Sequence, residues 1–227
     1  MAGMGSRNEV ARWEIGVLKF NLKGAKKLLC LGAHSDDIEI GCGGTILALT
    51  EAYSGLNVLW AVFSAKGKRR QEARSSAELF LKGAGASKLM LKQFQESYFP
   101  GDFDRIKTFC EGLKSFRPDV IFTHYRHDRH QDHRVLSDLP WNTFRDHLIL
   151  EYEIPKYDGD LGIPNLYVPL NPAICRRKTR YLDQAFRSQK GRHWFSEDTF
   201  LALMRLRGVE CASKYAEAFY CRKMICD

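Results

Sequence analysis

Apolar runs alternate along the first half of the chain with segments of helical pattern. Continuous apolar runs predict buried strands, because strands of a parallel sheet covered on both faces lose the polar alternation. These strands are expected at residues 28–32, 58–63, 88–91 and 120–123. Helices are expected between them, one opened by residues 41–44 and ending near Gly55, the others at residues 69–82 and 103–116. Such alternation predicts an α/β fold, a mostly parallel sheet with helices on both faces.

The second half has a less regular pattern. It predicts a helix from residue 134 to about residue 147, disturbed by Pro140, and a fifth strand at residues 147–154. The stretch 155–172 is rich in Pro, Gly, Asn and Asp and predicts a loop, with a short strand at residues 166–168. Helical segments follow at residues 173–188 and 197–208. Since no repeat or linker interrupts the chain, residues 1–227 are expected to form a single domain.

Length and composition limit the class of protein. A chain of 227 residues suits one α/β domain. No apolar stretch approaches the ~20 residues that cross a bilayer, and residues 1–27 mix charges into their apolar positions, unlike a secretory signal. The seven cysteines include no Cys-x-x-Cys pair, which favours a reducing, cytoplasmic setting.

The formal net charge of +8 favours an anionic substrate or surface, although a plain solubility bias is the alternative. One basic cluster, at residues 66–74, follows the second predicted strand and is expected to face a pocket, which makes Lys66 and Arg69 candidate substrate-binding residues. A second cluster, at residues 176–180, is expected on a helix surface.

Two clusters of histidine and aspartate carry the candidate chemistry. His34, Asp36 and Asp37 follow the first predicted strand. The second cluster follows the fourth predicted strand and consists of His130, Asp132 and His133. Because ligands and catalytic groups gather at the carboxyl ends of parallel strands, we expect both clusters to form one site.

A catalytic zinc site uses three protein ligands and leaves one position for water or substrate. A turn places His34 and Asp37 on one side, and His133 supplies the third ligand. Asp36 is then the expected general base, and His130, oriented by Asp132 and held protonated, the group that faces the substrate. This donor set also accepts other divalent ions.

Plainer interpretations exist for each cluster taken alone, namely a capping pair for the first and a solvated loop for the second. The glycine-rich residues 41–44 also fit a phosphate-binding turn at a helix N-terminus. We favour a tight turn there that aims the preceding acids inward.

At these residues the chain resembles the PIG-L / LmbE-like family of zinc-dependent N-acetylglucosaminyl deacetylases. That family has Ala-His-Pro-Asp-Asp before a glycine-rich turn and His-Pro-Asp-His further on. The matching segments here are residues 33–45, 69–72, 130–134, 143–145, 152–155 and 215–219, within a core of about residues 26–222. Ser35 and Gln131 stand where the family has prolines, which removes a backbone constraint from both loops.

The resemblance implies a Rossmann-like, three-layer fold and the same zinc ligands and catalytic groups as proposed above. It implies removal of acetate from a small-molecule N-acetylated amino sugar, with a nucleotide-linked or lipid-linked carrier as alternatives. An amidase acting on a thiol-precursor glycoconjugate or another acyl amide is a second hypothesis. A non-catalytic nucleotide or nucleic-acid binder is a third; we expect no nucleic-acid partner, because basic and aromatic residues are not interleaved. The oligomeric state is not predicted.

Overall fold

The computed structural model of the protein describes residues 21–225, and within them the chain forms a seven-stranded sheet covered by helices. The strands are β1 (Lys27–Gly32), β2 (Asn57–Val62), β3 (Ala86–Leu91), β4 (Val120–His124), β5 (Leu148–Tyr152), β6 (Leu166–Pro169) and β7 (Ala216–Cys221). The α-helices are α1 (Asp37–Ala52), α2 (Gly67–Phe80), α3 (Phe103–Leu113), α4 (Gln131–Thr143), α5 (Pro172–Ala185) and α6 (Glu197–Glu210). Three short 3-10 helices lie at Phe99–Asp102, Lys114–Phe116 and Arg187–Gln189.

The strand order is β3-β2-β1-β4-β5-β7-β6. Strands β1 to β5 pair in parallel, whereas β7 is antiparallel to both β5 and β6. The chain proceeds outward from β1 through β2 to β3 and then returns to place β4 on the other side of β1. A ligand crevice forms at such a reversal, outside the carboxyl ends of the two central strands.

Helices cover both faces of the sheet, which confirms the predicted three-layer α/β fold. One core surrounds Trp60 and is closed by α1, α2, α5 and α6. The other surrounds Phe63 and is closed by α3 and α4. No helix among residues 21–225 is long and apolar enough to span a membrane. Most of the segment that we judged unlike a secretory signal lies outside the described residues.

The predicted glycine turn is wrong, because α1 begins at Asp37 and contains the glycines. They allow close packing instead. A Cβ on Gly41 would lie 2.1 Å from the ring of Tyr152, and one on Gly43 would lie 2.5 Å from the ring of Phe80. Both contacts are much shorter than side chains tolerate, so glycine lets α1 sit directly on β5 and α2. A phosphate-binding turn at residues 41–44 is also excluded, because these residues lie inside α1 and not at its N-terminus.

Strand β7 was not predicted, and its buried acid explains why. Glu217 interrupts the apolar pattern, but its carboxylate accepts hydrogen bonds from the backbone amides of Gly44 (2.8 Å) and Thr45 (2.6 Å) inside α1. Lys178 donates to the same carboxylate at 2.6 Å and is buried. The expectation that the second basic cluster lies on a helix surface is therefore wrong for Lys178, since a buried charge needs a partner that only the fold supplies.

Candidate active site

The turn after β1 brings His34 and Asp37 together. The backbone amide of His34 donates to Asp37 Oδ2 at 2.6 Å, and His34 Nδ1 lies 3.4 Å from the same oxygen. Asp37 is the first residue of α1, where a carboxylate is favoured by the unpaired amides and the helix dipole. The local geometry that the spacing predicted is confirmed.

The segment after β4 supplies the second half of the site. His124 ends β4, and His130 caps the N-terminus of α4, with its Nδ1 accepting from the backbone amide of Asp132 at 3.2 Å. The helix thus begins three residues before the predicted start. Asp132 and His133 lie in its first turn and are buried.

Three donor atoms of these two segments form a compact triangle. His34 Nδ1 and His133 Nε2 are 3.1 Å apart, and Asp37 Oδ2 lies 3.4 Å from the first and 3.6 Å from the second. A tetrahedral zinc ion with bonds of ~2.1 Å separates its ligand atoms by ~3.4 Å. The spacing of the predicted triad therefore fits a metal of this size.

Outer carboxylates fix which ring nitrogen each histidine presents. His34 Nε2 lies 3.0 Å from Asp132 Oδ2, and His133 Nδ1 lies 2.9 Å from Asp128 Oδ2. Each carboxylate accepts a hydrogen bond from one ring N–H of its histidine. The other ring nitrogen then faces the triangle, where it can coordinate a metal, as is common for metal-binding histidines. Lys156 in turn reaches Asp128 at 3.0 Å.

The charges of the triangle favour a cation. Burial lowers the pKa of His34, but Asp37 and Asp132 outweigh it and raise that pKa to about 10. For His133, burial and the neighbouring His124 lower the pKa to about 3. Burial favours the neutral form of Asp37, yet the imidazoles of His133, His34 and His124 hold its pKa well below the usual range. An anionic carboxylate and one proton-holding imidazole mark a place where a bound divalent ion would replace a proton.

Asp36 lies beside the triangle and faces another partner. Its Oδ1 accepts from Arg69 Nη2 at 2.7 Å, and the side chain is buried. Burial raises the pKa of Asp36, the Arg69 guanidinium works against that rise, and Asp37 adds to it. Arg69 also forms an ion pair with Glu72, with Nη1 3.2 Å from Oε2. Lys66 is exposed and makes no side-chain contact with the site among the described residues.

Asp132 contacts His130 through its backbone amide rather than through its carboxylate. The carboxylate lies against His34 and accepts hydrogen bonds from the backbone amides of Ser97 (2.6 Å) and Phe99 (3.1 Å). The expectation of a protonated His130 is not supported, because burial and the nearby His34 lower its pKa. His130 still lies edge-on to His34, with ring centroids 4.8 Å apart.

Three neighbours of the site were missed from the sequence. His124 Nε2 lies 3.2 Å from Asp37 Oδ2, and its ring stacks on His133 with centroids 4.0 Å apart. Its position at the carboxyl end of a central strand was the available signal. Asp128 and Lys156 gave no such signal. Asp128 contacts His133 from the loop before α4, and Lys156 contacts Asp128 from the segment after β5.

Comparisons with known proteins show which family the chain resembles in sequence and in fold. The family model described as "GlcNAc-PI de-N-acetylase", PIG-L, matches residues 29–144, slightly more than half of the chain. A diacetylchitobiose deacetylase of Thermococcus kodakarensis is 27% identical over 127 residues. That alignment covers 48% of this chain and 45% of the relative, so it spans less than half of the relative's length.

Solved structures show the same fold at lower identity. The N,N'-diacetylchitobiose deacetylase of Pyrococcus horikoshii, in complex with an inhibitor, has a TM-score of 0.69 at 23% identity and covers 88% of this chain and 85% of its own. The 4-carboxy-2-hydroxymuconate hydratase GalB of Pseudomonas putida has a TM-score of 0.71 at 16% identity, covering 89% and 98%. Since the fold serves a deacetylase and a hydratase, the reaction has to be argued from the site.

Proposed function

Because the chain belongs to the GlcNAc-PI de-N-acetylase (PIG-L) family, we propose that it is a metal-dependent N-deacetylase acting on an N-acetylated amino sugar. The observation that carries the proposal is the donor triangle of His34, Asp37 and His133, with a second carboxylate, Asp36, beside it and paired with Arg69. Structural metal sites are closed by four ligands, whereas three protein donors leave a position open for chemistry.

The proposed ion is zinc, held by His34 Nδ1, Asp37 Oδ2 and His133 Nε2. Two imidazoles and one carboxylate are donors that zinc accepts, although other divalent ions bind the same set. When bound, such an ion would polarise the amide carbonyl and lower the pKa of a water molecule. The outer carboxylates of Asp132 and Asp128 support the ligands by fixing their ring orientation.

Asp36 is proposed as the general base. A base needs a pKa near the working pH, and burial raises the pKa of this carboxyl. It accepts a proton from the attacking water, whose oxygen bonds to the acetamide carbon. Arg69 keeps the carboxylate in place through the 2.7 Å ion pair.

His130 is proposed to face the substrate from the other side. As the C–N bond breaks, the nitrogen needs a proton, and Asp36 returns to it the proton taken from water. The products are then acetic acid and free amine, and transfer of the acid proton to the amine gives acetate and an ammonium group. His130 donates a hydrogen bond to the carbonyl oxygen as negative charge develops there, which a neutral imidazole can do. Asp132 acts on His130 by its backbone amide and by its negative charge, which raises the pKa of His130 against the effect of burial.

The substrate is proposed to be a small N-acetylated sugar that carries an anionic group. Support comes from the net charge of +8 and from the position of Arg69, partly exposed beside Asp36, with Lys66 exposed just before α2. A cytoplasmic location is part of the proposal, since the six cysteines of the described residues are free.

The test is an acetate-release assay with metal analysis on the same preparations. Free, nucleotide-linked and lipid-linked N-acetylglucosamine are compared with other acyl amides, including thiol-precursor glycoconjugates. Acetate release from N-acetyl sugars that stops on chelation and returns with zinc is the expected result. Preferential cleavage of other acyl amides would favour the amidase hypothesis, and metal-independent nucleotide binding without turnover would favour a non-catalytic binder.

A further inference from the structure

A groove at the outer edge of the sheet has no part in the site described above. It is open to solvent, has a volume of about 610 Å³ beside the carboxyl end of β3, and is bounded by α2 and α3. Arg70, Lys92 and Arg105 line it, together with the rings of Phe94 and Phe109. Within the described part of the chain, no carboxylate contributes to its lining.

Two of the three cations that line this groove, Arg70 and Lys92, are held in place without an acidic partner among the described residues. Arg70 donates to the backbone carbonyl of Leu91 at 2.9 Å, and Lys92 Nζ lies 4.5 Å from the centroid of Phe109. Neither makes an ion pair with a carboxylate of residues 21–225. Arg105 is paired with Asp102 at 2.7 Å, outside the lining, and lies over Phe94. Oriented cations that lack an acidic partner attract an anion with several oxygens.

The groove lies on the same edge of the sheet as the donor triangle. Neighbouring strands are ~4.8 Å apart, which places β3 about 10 Å from β1. The wall between the two sites is aromatic: Phe94 contacts Phe99 at a centroid distance of 6.3 Å, and Phe99 lies 6.2 Å from His34. On α2, Arg69 turns toward Asp36 while the next residue, Arg70, turns toward the groove.

We infer that this groove binds the phosphate groups of the carrier to which the acetylated sugar is attached. In a 2-acetamido sugar the carrier is joined to the carbon next to the one bearing the acetamide, and a diphosphate extending from there spans a distance comparable to two strands. The groove's volume also falls within the range of small-molecule sites. Assigning the phosphate to the substrate rests on the proposed function, whereas anion binding by the groove does not.

The binding test compares two double variants of equal charge, each with one change on α2 and one on β3 or directly after it. Arg70→Gln/Lys92→Gln removes two cations of the groove, and Arg74→Gln/Lys88→Gln removes two cations from α2 and β3 outside it. Calorimetry with pyrophosphate and with uridine diphosphate, at matched metal content, should give a Kd at least ~10-fold higher for the groove variant. Unchanged affinity relative to the control variant would overturn the inference.

A second arm separates the sources of phosphate and the two proposals. If the phosphate belongs to a lipid, the groove variant should bind vesicles containing phosphatidylinositol less well than the control variant in a flotation assay. If the phosphate belongs to a soluble nucleotide, the two variants should differ in their affinity for uridine diphosphate. In the acetate assay, the groove variant should raise KM for a phosphate-bearing N-acetyl sugar and leave a neutral conjugate unchanged. A binding difference without any acetate release would reject the deacetylase and keep the groove; acetate release with equal binding would reject the groove alone.

Discussion

The two halves of the candidate site are built differently. In the segment after β1, contacts within one turn bring His34 and Asp37 together, at 2.6 and 3.4 Å, and Asp132 adds a contact to the His34 ring from the other segment. In the segment after β4, His133 is held by Asp128, five residues earlier, and Lys156 contacts Asp128 from beyond β5. The comparison teaches that one half is specified locally by its motif, whereas the other needs the assembled fold to hold its ligand.

The largest expected effect comes from removing Asp37, the proposed ligand that contacts histidines of both segments. Asp37→Ala takes away the carboxylate that contacts His34, His124 and His133. Metal content should fall close to zero, with a loss of affinity beyond the roughly 100-fold that outer contacts cost. Metal analysis after gel filtration measures this, and circular dichroism confirms folding. Full metal occupancy in this variant would remove Asp37 from the ligand set.

The neighbouring carboxylate provides the matched control and a different outcome. Asp36→Asn keeps the shape and the contact distance to Arg69 but removes the base. We expect unchanged metal content and a kcat lower by about 10²–10⁴, the usual contribution of general acid–base catalysis. Near-normal turnover with metal bound would contradict the role of Asp36.

The dependent half is tested through its outer carboxylate. Asp128→Asn removes the charge that holds His133 Nδ1 at 2.9 Å, and metal affinity should weaken by about 10–100-fold. Asp138→Asn is the matched control, since it changes an exposed acid on α4. Titration against a chelating dye measures both variants. Equal affinities would show that His133 is held by packing rather than by Asp128.

The same contrast explains how far the sequence predicted the molecule. The strands β1 to β4 were predicted because buried parallel strands are continuous apolar runs, and His34 and Asp37 were placed together because their contact lies within one turn. Strand β7 was missed because Glu217 breaks its pattern, and its partner Lys178 is 39 residues away in sequence. The glycines of α1 were misplaced because close helix packing and tight turns both require glycine. Their function is decided by Tyr152 and Phe80, which lie on other elements.

The contacts of Asp132 depend on the fold in a related way. Asp132 lies two residues from His130, but α4 starts at Gln131 and directs the carboxylate to His34, so Asp132 contacts His130 through its backbone amide. Asp132 thus joins the two halves: it comes from the dependent segment and holds a ligand of the local one. Which histidine a carboxylate meets depends on where the helix begins, and sequence patterns place helix ends with an uncertainty of a few residues.

The most gradual expected effect, a change of metal affinity with pH, distinguishes the two histidines by their protons. The pKa of His34 is raised to about 10 and that of His133 is lowered to about 3, so between these values only His34 carries a proton in the metal-free protein. That proton must leave when a metal binds, and apparent metal affinity should therefore rise by about tenfold per pH unit between about pH 6 and 9. Competition with a chelating dye at three pH values measures the slope, and calorimetry in buffers of different ionisation enthalpy counts the protons.

Glu39, whose pKa burial raises to about 8, titrates in the same range, so Glu39→Gln removes its contribution. In Asp132→Asn, His34 loses one of the carboxylates that raise its pKa, and the rise in affinity should level off at a lower pH than in the parent protein. Affinity independent of pH in the Glu39→Gln background would mean that His34 is already neutral in this range and would contradict its raised pKa.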